Sequence, residues 1–285
     1  MTTINSLSGG HTSSYLAVHF PADVEIFSMV CVENHNAGRW LKYNKSLLQY
    51  ANDKLERYIP YYGEFRATAE DPIIIKTMMD LEQKIGREII WVRGKSFEKM
   101  IEDQSALPNQ HWRFCTTYLK LIPIFEYCYP KFGDDVIMRL GIRYDELDRA
   151  DTIDNFFEFP TSCNLYGQFR QNWETVQWRN VEFSLIENKV THLKVHNYWN
   201  NNPDVLFADD SNCQFCFWKD FQQLRKNFDN DRSKPIMQWA AVQEAIKNAS
   251  FKKEMDLLQT AKIGLQSSFN FGTGAEGCKS GWCRG

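Results

Sequence analysis

Near its start the chain reads Ile4-Asn5-Ser6-Leu7-Ser8-Gly9-Gly10-His11-Thr12-Ser13-Ser14-Tyr15-Leu16-Ala17, and this stretch decides how the rest is interpreted. The pattern predicts a short buried strand, a tight glycine turn and the first turn of a helix. Adjacent glycines permit backbone angles that a Cβ forbids, and they let the chain approach a ligand closely. The hydroxyls and the N–H groups of the helix N-terminus then form a phosphate cradle. Its candidate phosphate-binding residues are Ser8, Gly9, Gly10, His11, Thr12 and Ser13.

Two better-known phosphate motifs are absent from the sequence. There is no Gly-x4-Gly-Lys-Ser/Thr loop, and the turn is not the Gly-x-Gly-x-x-Gly of dinucleotide-binding proteins. An ordinary strand-to-helix turn with a serine cap is the alternative interpretation of the glycine turn taken alone.

Composition limits the classes of function. The 285 residues are 43% hydrophobic and 24% charged, which is typical of a globular protein. The net charge of −3 argues against a broad basic surface for nucleic acid, although a local basic groove stays open. Aromatic residues make up 14%, which suits a well-filled core or stacking sites for a base.

The sequence carries neither a run of about 18 apolar residues nor a secretory signal pattern, so we expect a cytoplasmic protein without a membrane span. Eight cysteines in such a chain are unlike a disulfide framework. Metal binding, redox chemistry and plain burial are the alternatives.

Strand and helix patterns alternate through the first half of the chain. Strands separated by helices indicate an α/β fold, a parallel sheet with helices on both faces, and ligands then bind at the carboxyl ends of its strands. The predicted strands after the first are 24–32, 89–92 and 135–142, and the predicted helices are 15–20, 41–55, 73–85 and 119–129.

Strand patterns fade from about Val195. We therefore predict an α/β domain with the phosphate cradle over 1–194 and a mostly helical, cysteine-containing region over 195–285. Helices are predicted at 221–227 and 235–258, followed by a glycine-rich tail at 269–285 that needs something to fix it in place.

Two further segments combine cations with reactive side chains. The segment 113–123 opens a predicted helix and holds Arg113, Cys115 and Lys120, which suit an anion beside a reactive or metal-binding sulfur. A buried cysteine flanked by surface cations is the alternative. The segment 141–149 follows a predicted strand, and there Asp145 or Glu146 suits Mg²⁺ while Arg143 and Arg149 suit phosphates. A solvated charged surface is the alternative for this segment.

The cysteines form the last candidate site. Cys213 and Cys216 have the two-residue gap that lets two thiolates reach one metal, and Cys278 and Cys283 form a second pair in the tail. Four thiolates fit tetrahedral zinc or a [4Fe-4S] cluster. A three-thiol alternative uses Cys115 with Cys213 and Cys216. We expect Cys31 and Cys128, on apolar segments, to pack in the core.

These segments together resemble the phosphoadenylyl-sulfate (PAPS) reductase family of the adenine nucleotide α-hydrolase (PP-loop) superfamily. The family's Ser-Gly-Gly-x-x-Ser/Thr loop matches 8–13, and its Gly-Ile-Arg-x-Asp-Glu block matches 141–146, followed by Arg149. A later Pro-Leu stretch is similar to 183–186, with Ser184 in place of the proline. The family's Arg-x-Cys-Thr/Cys-x-x-x-Lys-x-x-Pro block matches Arg113, Cys115, Thr116, Lys120 and Pro123.

The resemblance implies a site for ATP or phosphoadenylyl sulfate and one of two activities. Reductases of the family attack the sulfate with a thiol, and pyrophosphatase-type relatives adenylate a nucleic acid or a small molecule before sulfur insertion. It implies roles in catalysis for Cys115, Lys120, Arg143 and Asp145, a sulfur donor or thiol reductant as partner, and possible use of Mg²⁺.

Departures from the family pattern weigh on this choice. Thr116 stands where cluster-binding reductases have a second cysteine, and the reductase tail Glu-Cys-Gly-Leu/Ile-His is absent. The chain is in this respect more similar to the sulfur-inserting branch, which includes proteins of phages and mobile elements. His11 and Thr12 replace a lysine and an aspartate frequent in the pyrophosphatases, so a nucleotide sensor or nucleic-acid-binding module without catalysis is the remaining alternative.

Overall fold

The computed structural model of the chain describes residues 1–165, 168–209 and 212–264. The strands among these residues are β1 (Thr2–Leu7), β2 (Val24–Ser28), β3 (Cys31–Val32), β4 (Ala67–Thr68), β5 (Ile89–Val92), β6 (Val136–Leu140), β7 (Phe156–Leu165), β8 (Gln168–Gln177) and β9 (Asn180–Glu182). The helices up to residue 150 are α1 (His11–His19), α2 (Arg39–Tyr43), α3 (Lys45–Tyr58), α4 (Ile73–Ile85), α5 (Phe97–Gln104), α6 (Phe114–Thr116), α7 (Ile122–Phe132) and α8 (Leu147–Ala150). The later helices are α9 (Ser184–Glu187), α10 (His192–Asn200), α11 (Phe221–Asp229), α12 (Lys234–Lys247) and α13 (Leu257–Thr260).

Five strands form one parallel sheet in the order β5-β2-β1-β6-β9. The central strand β1 pairs with β2 on one side, where Ile4 is opposite Val24, and with β6 on the other, where Ile4 is opposite Met138. The strand order reverses direction at β1, and ligands of doubly wound sheets bind at such a point. The predicted α/β fold with a parallel sheet is confirmed.

Helices cover both faces of this sheet. Alternate residues of a strand point to opposite faces, and in β2 Phe27 packs in a core with α1, α3, α4 and α10 while Ile26 packs in a core with α7. Cys31 and Cys128 are both buried in these apolar surroundings, as expected. The segment predicted as one strand over 24–32 is two strands, because the short β3 leaves the main sheet and pairs antiparallel with β4.

A long antiparallel ribbon, β7 with β8, was missed by the sequence analysis. Its register runs from Phe156 opposite Gln177 to Leu165 opposite Gln168. At its base Phe157 and Trp178 are buried against α7. The ribbon leads directly into β9, the last strand of the parallel sheet.

Helices form most of the chain after β9. The predicted boundary between residues 194 and 195 falls inside α10, whose Val195 and Trp199 pack in the core that covers one face of the sheet. The helix predicted over 235–258 ends at Lys247, because Asn248 takes a left-handed conformation that terminates it. No helix among the described residues is both long and apolar enough to cross a membrane.

Candidate active site

The glycine turn, Ser8 to Gly10, joins the end of β1 to α1 as predicted. Gly9 has φ +74°, and a Cβ there would lie 2.1 Å from Cγ1 of Ile74, so both backbone angle and space require glycine. Ser13 closes the turn, since its Oγ accepts a hydrogen bond from the Ser8 N–H at 3.1 Å and donates to the Gly10 carbonyl at 3.2 Å. The N-cap Gly10 has no side chain to cap the helix, which leaves the first-turn N–H groups available to a ligand.

The end of β6 lies against this turn. A Cβ on Gly141 would be 3.0 Å from the Ser13 Cα, so the glycine allows the two loops to approach. Beyond it, Arg143 donates from Nη1 to Oγ1 of Thr12 at 2.9 Å and therefore connects the 141–149 segment to the start of α1. Glu146 lies between two guanidiniums, 3.5 Å from Arg143 and 3.6 Å from Arg149. Burial lowers the pKa of Arg149, against the effect of Glu146.

The segment 113–123 forms a further wall of the site. It consists of α6, one π-helical turn over Thr117–Leu121 and the start of α7. A π-helical turn is uncommon and often occurs at functional sites. Lys120 lies in this turn and donates to Oε1 of the buried Glu70 at 2.9 Å. Burial lowers the pKa of Lys120, but the charge and hydrogen bond of Glu70, together with the effects of Cys213 and Cys115, outweigh burial and the pKa is raised.

Gln214, the residue after Cys213, holds the Cys213–Cys216 segment at this wall. The Gln214 N–H donates to the Ala69 carbonyl at 2.8 Å, and the Gln214 side chain accepts from Oγ of Ser233 at 2.6 Å. Gln214 is buried, so these bonds fix the cysteine segment beside Glu70. The sequence analysis gave Gln214 and Glu70 no role.

Burial favours the protonated form of the thiols of this wall. Burial raises the pKa of Cys115, against the nearby charges of Lys120 and Arg113. Burial also raises the pKa of Cys216 to about 11, and that of Cys213 well above its usual value, where Glu70 adds to the effect of burial. Arg113 stacks over the ring of Trp218, with its Cζ 5.6 Å from the ring centroid.

These segments enclose one cavity of about 580 Å³, which we call the main cavity. Its walls bring the glycine turn, the 113–120 segment, the 141–149 segment and the cysteine pair together. The predicted site residues that line it are Ser8, Gly10, His11, Thr12, Ser13, Arg113, Cys115, Lys120, Arg143, Arg149, Cys213 and Cys216. Residues of the wall that the sequence analysis did not select include His192, His196, Phe207 and Trp218. These come from α10 and from the segments before and after the cysteine pair, where no motif marks them.

Asp145 and Glu146 are the two carboxylates predicted to suit Mg²⁺, and of these Glu146 lines the main cavity. Asp145 is not among the residues lining the main cavity. Its Oδ1 accepts from Nε of Arg143 at 3.1 Å and its Oδ2 from the His192 N–H at 3.2 Å. Although burial acts in the other direction, the His192 bond and the Arg143 charge hold the pKa of Asp145 below its usual value. The carboxylate of Asp145 therefore orients Arg143 and α10.

Only two of the four cysteines predicted to bind a metal belong to the described residues. Cys213 and Cys216 line the main cavity together with Cys115, whereas Cys278 and Cys283 lie outside the described residues. Within residues 1–165, 168–209 and 212–264, no three His, Cys, Asp or Glu side chains are grouped closely enough to hold a metal ion. The four-cysteine site thus stays a prediction.

Comparison with known proteins adds little to this geometry. No protein-family model matches the chain, and no solved structure matches it with statistical significance. An uncharacterized protein of Methanocaldococcus jannaschii is 31% identical over 77 residues, which is 27% of this chain. The matched stretch spans 16% of the length of the archaeal protein.

Proposed function

We propose that the chain is an enzyme that binds an adenine nucleotide in the main cavity and acts at its α-phosphate or at a sulfate bound to it, in sulfur transfer or reduction. One observation carries the proposal: the glycine turn, the cations of two separate segments and three thiols line the same cavity. Phosphate recognition, neutralisation of charge and a sulfur nucleophile are thus within one space.

Phosphate recognition is the first part of the argument. The Ser8–Gly10 turn leads into the N-terminus of α1, where N–H groups and the helix dipole favour an anion. Thr12 and Ser13 add hydroxyls beside these N–H groups. Donors of this kind stabilise charge that develops on a phosphoryl or sulfuryl oxygen.

Charge neutralisation is the second part. Arg143 is fixed against Thr12 and Asp145, so its guanidinium is held beside the phosphate cradle. Lys120 and Arg113, from the 113–123 segment, line the same cavity. A nucleotide in this cavity therefore meets cations from two separate segments, which suits the several negative charges of its phosphate chain.

Sulfur chemistry is the third part. In the reductase form, the Cys115 thiol loses its proton as its sulfur attacks the sulfate sulfur. An S–S bond forms, the S–O bond to the nucleotide phosphate breaks, and the departing phosphate oxygen takes up the proton. A second thiol, Cys213 or Cys216, then displaces sulfite and leaves a disulfide, which an external thiol reduces. In the adenylating form, an acceptor oxygen attacks the α-phosphorus of ATP and pyrophosphate leaves. A zinc ion or iron–sulfur cluster held by Cys213 and Cys216 with Cys278 and Cys283 would instead supply a structural clamp, and Cys213 and Cys216 would then not be free to displace sulfite.

The three thiols favour sulfur chemistry over a nucleotide sensor, because a sensor has no use for them beside the phosphate cradle. Asp145 is bound to Arg143 and His192, and Glu146 is paired with Arg143 and Arg149, so both candidate Mg²⁺ ligands of the adenylating form already have cationic or N–H partners. We therefore place the reductase-like reaction first.

Two incubations test the proposal. The full chain with phosphoadenylyl sulfate and dithiothreitol is expected to release sulfite, and the chain with ATP and Mg²⁺ is assayed for pyrophosphate. Cys115→Ser and Lys120→Met should each lower product release at least tenfold, whereas Lys42→Ala, at an exposed site on α2, should not change it. Nucleotide binding without either product would support the sensor, and the absence of binding would refute the proposal.

A further inference from the structure

A second, smaller cavity adjoins the main one. It has a volume of about 170 Å³, and we call it the side chamber. It lies beyond the carboxyl ends of β1 and β6, under the π-helical turn that carries Lys120. The two cavities share the wall formed by Ser8, Ser13, Thr116, Lys120, Gly141 and Arg149. A ligand held at the glycine turn is therefore next to the side chamber.

The side chamber is positively charged and otherwise mostly apolar or hydroxylic. Lys120, Arg149 and Arg179 line it, and no Asp or Glu of the described residues does. Its apolar lining comes from residues such as Ile124, Leu140 and Ile142. Cations in a space with little polar surface attract an anion strongly, because water screens them poorly there.

Arg179 is the cation of the side chamber that does not line the main cavity. Its residue is 6% exposed. Nε and Nη2 donate to the Asp154 carbonyl at 3.3 and 3.0 Å, and Nη1 lies 3.5 Å from Sδ of Met138. The guanidinium lies over the ring of Trp178, with Cζ 4.6 Å from the centroid.

None of these partners is a carboxylate. Among the described residues Arg179 has no ion pair, whereas Lys120 is paired with Glu70 and Arg149 with Glu146. Burial lowers the pKa of Arg179 to about 10, so it is charged at neutral pH. A buried charge is costly without a counter-ion, and a fork of N–H donors that lines a cavity suits a phosphoryl group.

We infer that the side chamber binds a second phosphoryl group of the nucleotide, with Arg179 and Arg149 as its cationic ligands, separate from the group held at Ser8–Ser13. The inference rests on the proposed function and extends it by requiring a nucleotide with at least two phosphoryl groups. That group is either a phosphate on the ribose or the outer phosphate of the 5′ chain. Both have the same charge and acceptor oxygens, so binding assays must distinguish them.

Calorimetric titration of the full chain with AMP, ADP and adenosine 3′,5′-bisphosphate tests this inference. We expect ADP or adenosine 3′,5′-bisphosphate to bind about tenfold or more tightly than AMP. Arg179→Met should reduce this preference to within about twofold while leaving the affinity for AMP within about twofold. Arg57→Met, an exposed arginine on α3, is the matched control and should retain the preference. A preference for the 3′,5′ compound assigns the ribose phosphate, and a preference for ADP assigns the outer phosphate.

Arg179 also holds the Asp154 carbonyl, so a purely structural role needs its own readout. A structural role would lower the affinity for all three nucleotides equally and leave the preference unchanged, which overturns the inference. If Arg179→Met does not fold, Arg179→Lys replaces it; lysine keeps the charge but cannot donate to Asp154 and a phosphoryl group with one planar fork, so the preference should fall at least threefold. Lack of binding by any nucleotide would refute the proposed function as well, whereas equal binding of all three would refute only the side-chamber inference.

Discussion

Nζ of Lys120 lies 2.9 Å from Oε1 of Glu70, and this bond joins a cavity wall to a carboxylate that is 1% exposed. Burial raises the pKa of Glu70, and the charge of Lys120 opposes that rise. Lys120 lines both cavities, so Glu70 determines where its ammonium group lies. The second oxygen of Glu70, Oε2, is buried and has no hydrogen-bond partner within the described part of the chain.

We expect Lys120→Met to lower the free energy of unfolding by about 3 kcal/mol, because it leaves a buried carboxylate without its cation. Glu70→Gln should cost less, about 1–2 kcal/mol, because the amide can still accept from Lys120. The double variant should lose at least about 1 kcal/mol less than the sum of the two single losses. Urea unfolding of the four proteins measures this difference.

The matched control is Glu102→Gln, which disrupts the exposed pair between Lys99 and Glu102 on α5. Exposed pairs contribute little, so this change should cost under about 1 kcal/mol. If the losses in the free energy of unfolding of Glu70→Gln and Lys120→Met add up to that of the double variant, the two side chains are not energetically coupled.

Gly9→Ala is expected to destabilise the chain by about 2–4 kcal/mol and to weaken nucleotide binding at least tenfold. The added Cβ meets Ile74, and an alanine at φ +74° is strained as well. Gly86→Ala is the control, because Gly86 has φ +63° but no neighbouring atom within 4 Å of its Cβ position. It should cost about 1 kcal/mol and leave binding unchanged. Equal effects of the two variants would show that strain alone, and not the approach of α4 to the turn, requires Gly9.

Replacing Arg143 and replacing Asp145 should have different effects on the dissociation constant for the nucleotide, although both residues belong to one predicted motif. Arg143→Met removes a cation of the main cavity that is bonded to Thr12, so the dissociation constant should rise about tenfold or more. Asp145→Asn keeps one acceptor oxygen, for either Arg143 or the His192 N–H, and loses the other bond. Because Asp145 does not line the main cavity, the constant should change less than about threefold. A tenfold loss of Mg²⁺-dependent binding in Asp145→Asn would instead restore Asp145 as a metal ligand.

The local patterns predicted more of the fold than of the site. The glycine turn, β1 and the parallel sheet follow from residues close in sequence, and so does the clustering of segments at the carboxyl ends of parallel strands. Glu70, Arg179 and Gln214 could not be found in this way. Each acts through a partner distant in sequence, such as Lys120 for Glu70, and only tertiary packing reveals that partner. The ribbon of β7 and β8 lacks a clear alternation of apolar and polar residues over its length, so no strand was predicted there.

Metal content tests the cysteine prediction. If Cys213, Cys216, Cys278 and Cys283 form one zinc or iron–sulfur site, replacing either pair by serine should remove most of the metal from the purified chain, as measured by elemental analysis. Cys128→Ala, a buried core position on α7, is the control and should retain it. Unchanged metal after replacement of Cys278 and Cys283 would exclude the four-cysteine site.

Lys219 follows the cysteine pair, is 5% exposed, and gives the chain a pH-dependent stability. Burial lowers its pKa from 10.5 to about 7, against the opposing charges of Asp71 and Glu70. Between pH 7 and 10.5 the unfolded chain therefore binds a proton at Lys219 that the folded chain has released, so this residue makes stability rise with pH across that window. Below pH 7 both states are protonated and the full penalty of burying the ammonium remains.

The wild type should accordingly gain stability relative to Lys219→Met as pH rises from 7 to 9, by up to about 1.4 kcal/mol per pH unit. Urea unfolding at pH 7, 8 and 9 measures the difference, with the exposed Lys253→Met as the control that should show no trend. A constant difference between wild type and Lys219→Met over this range would mean that Lys219 keeps its proton in the folded chain.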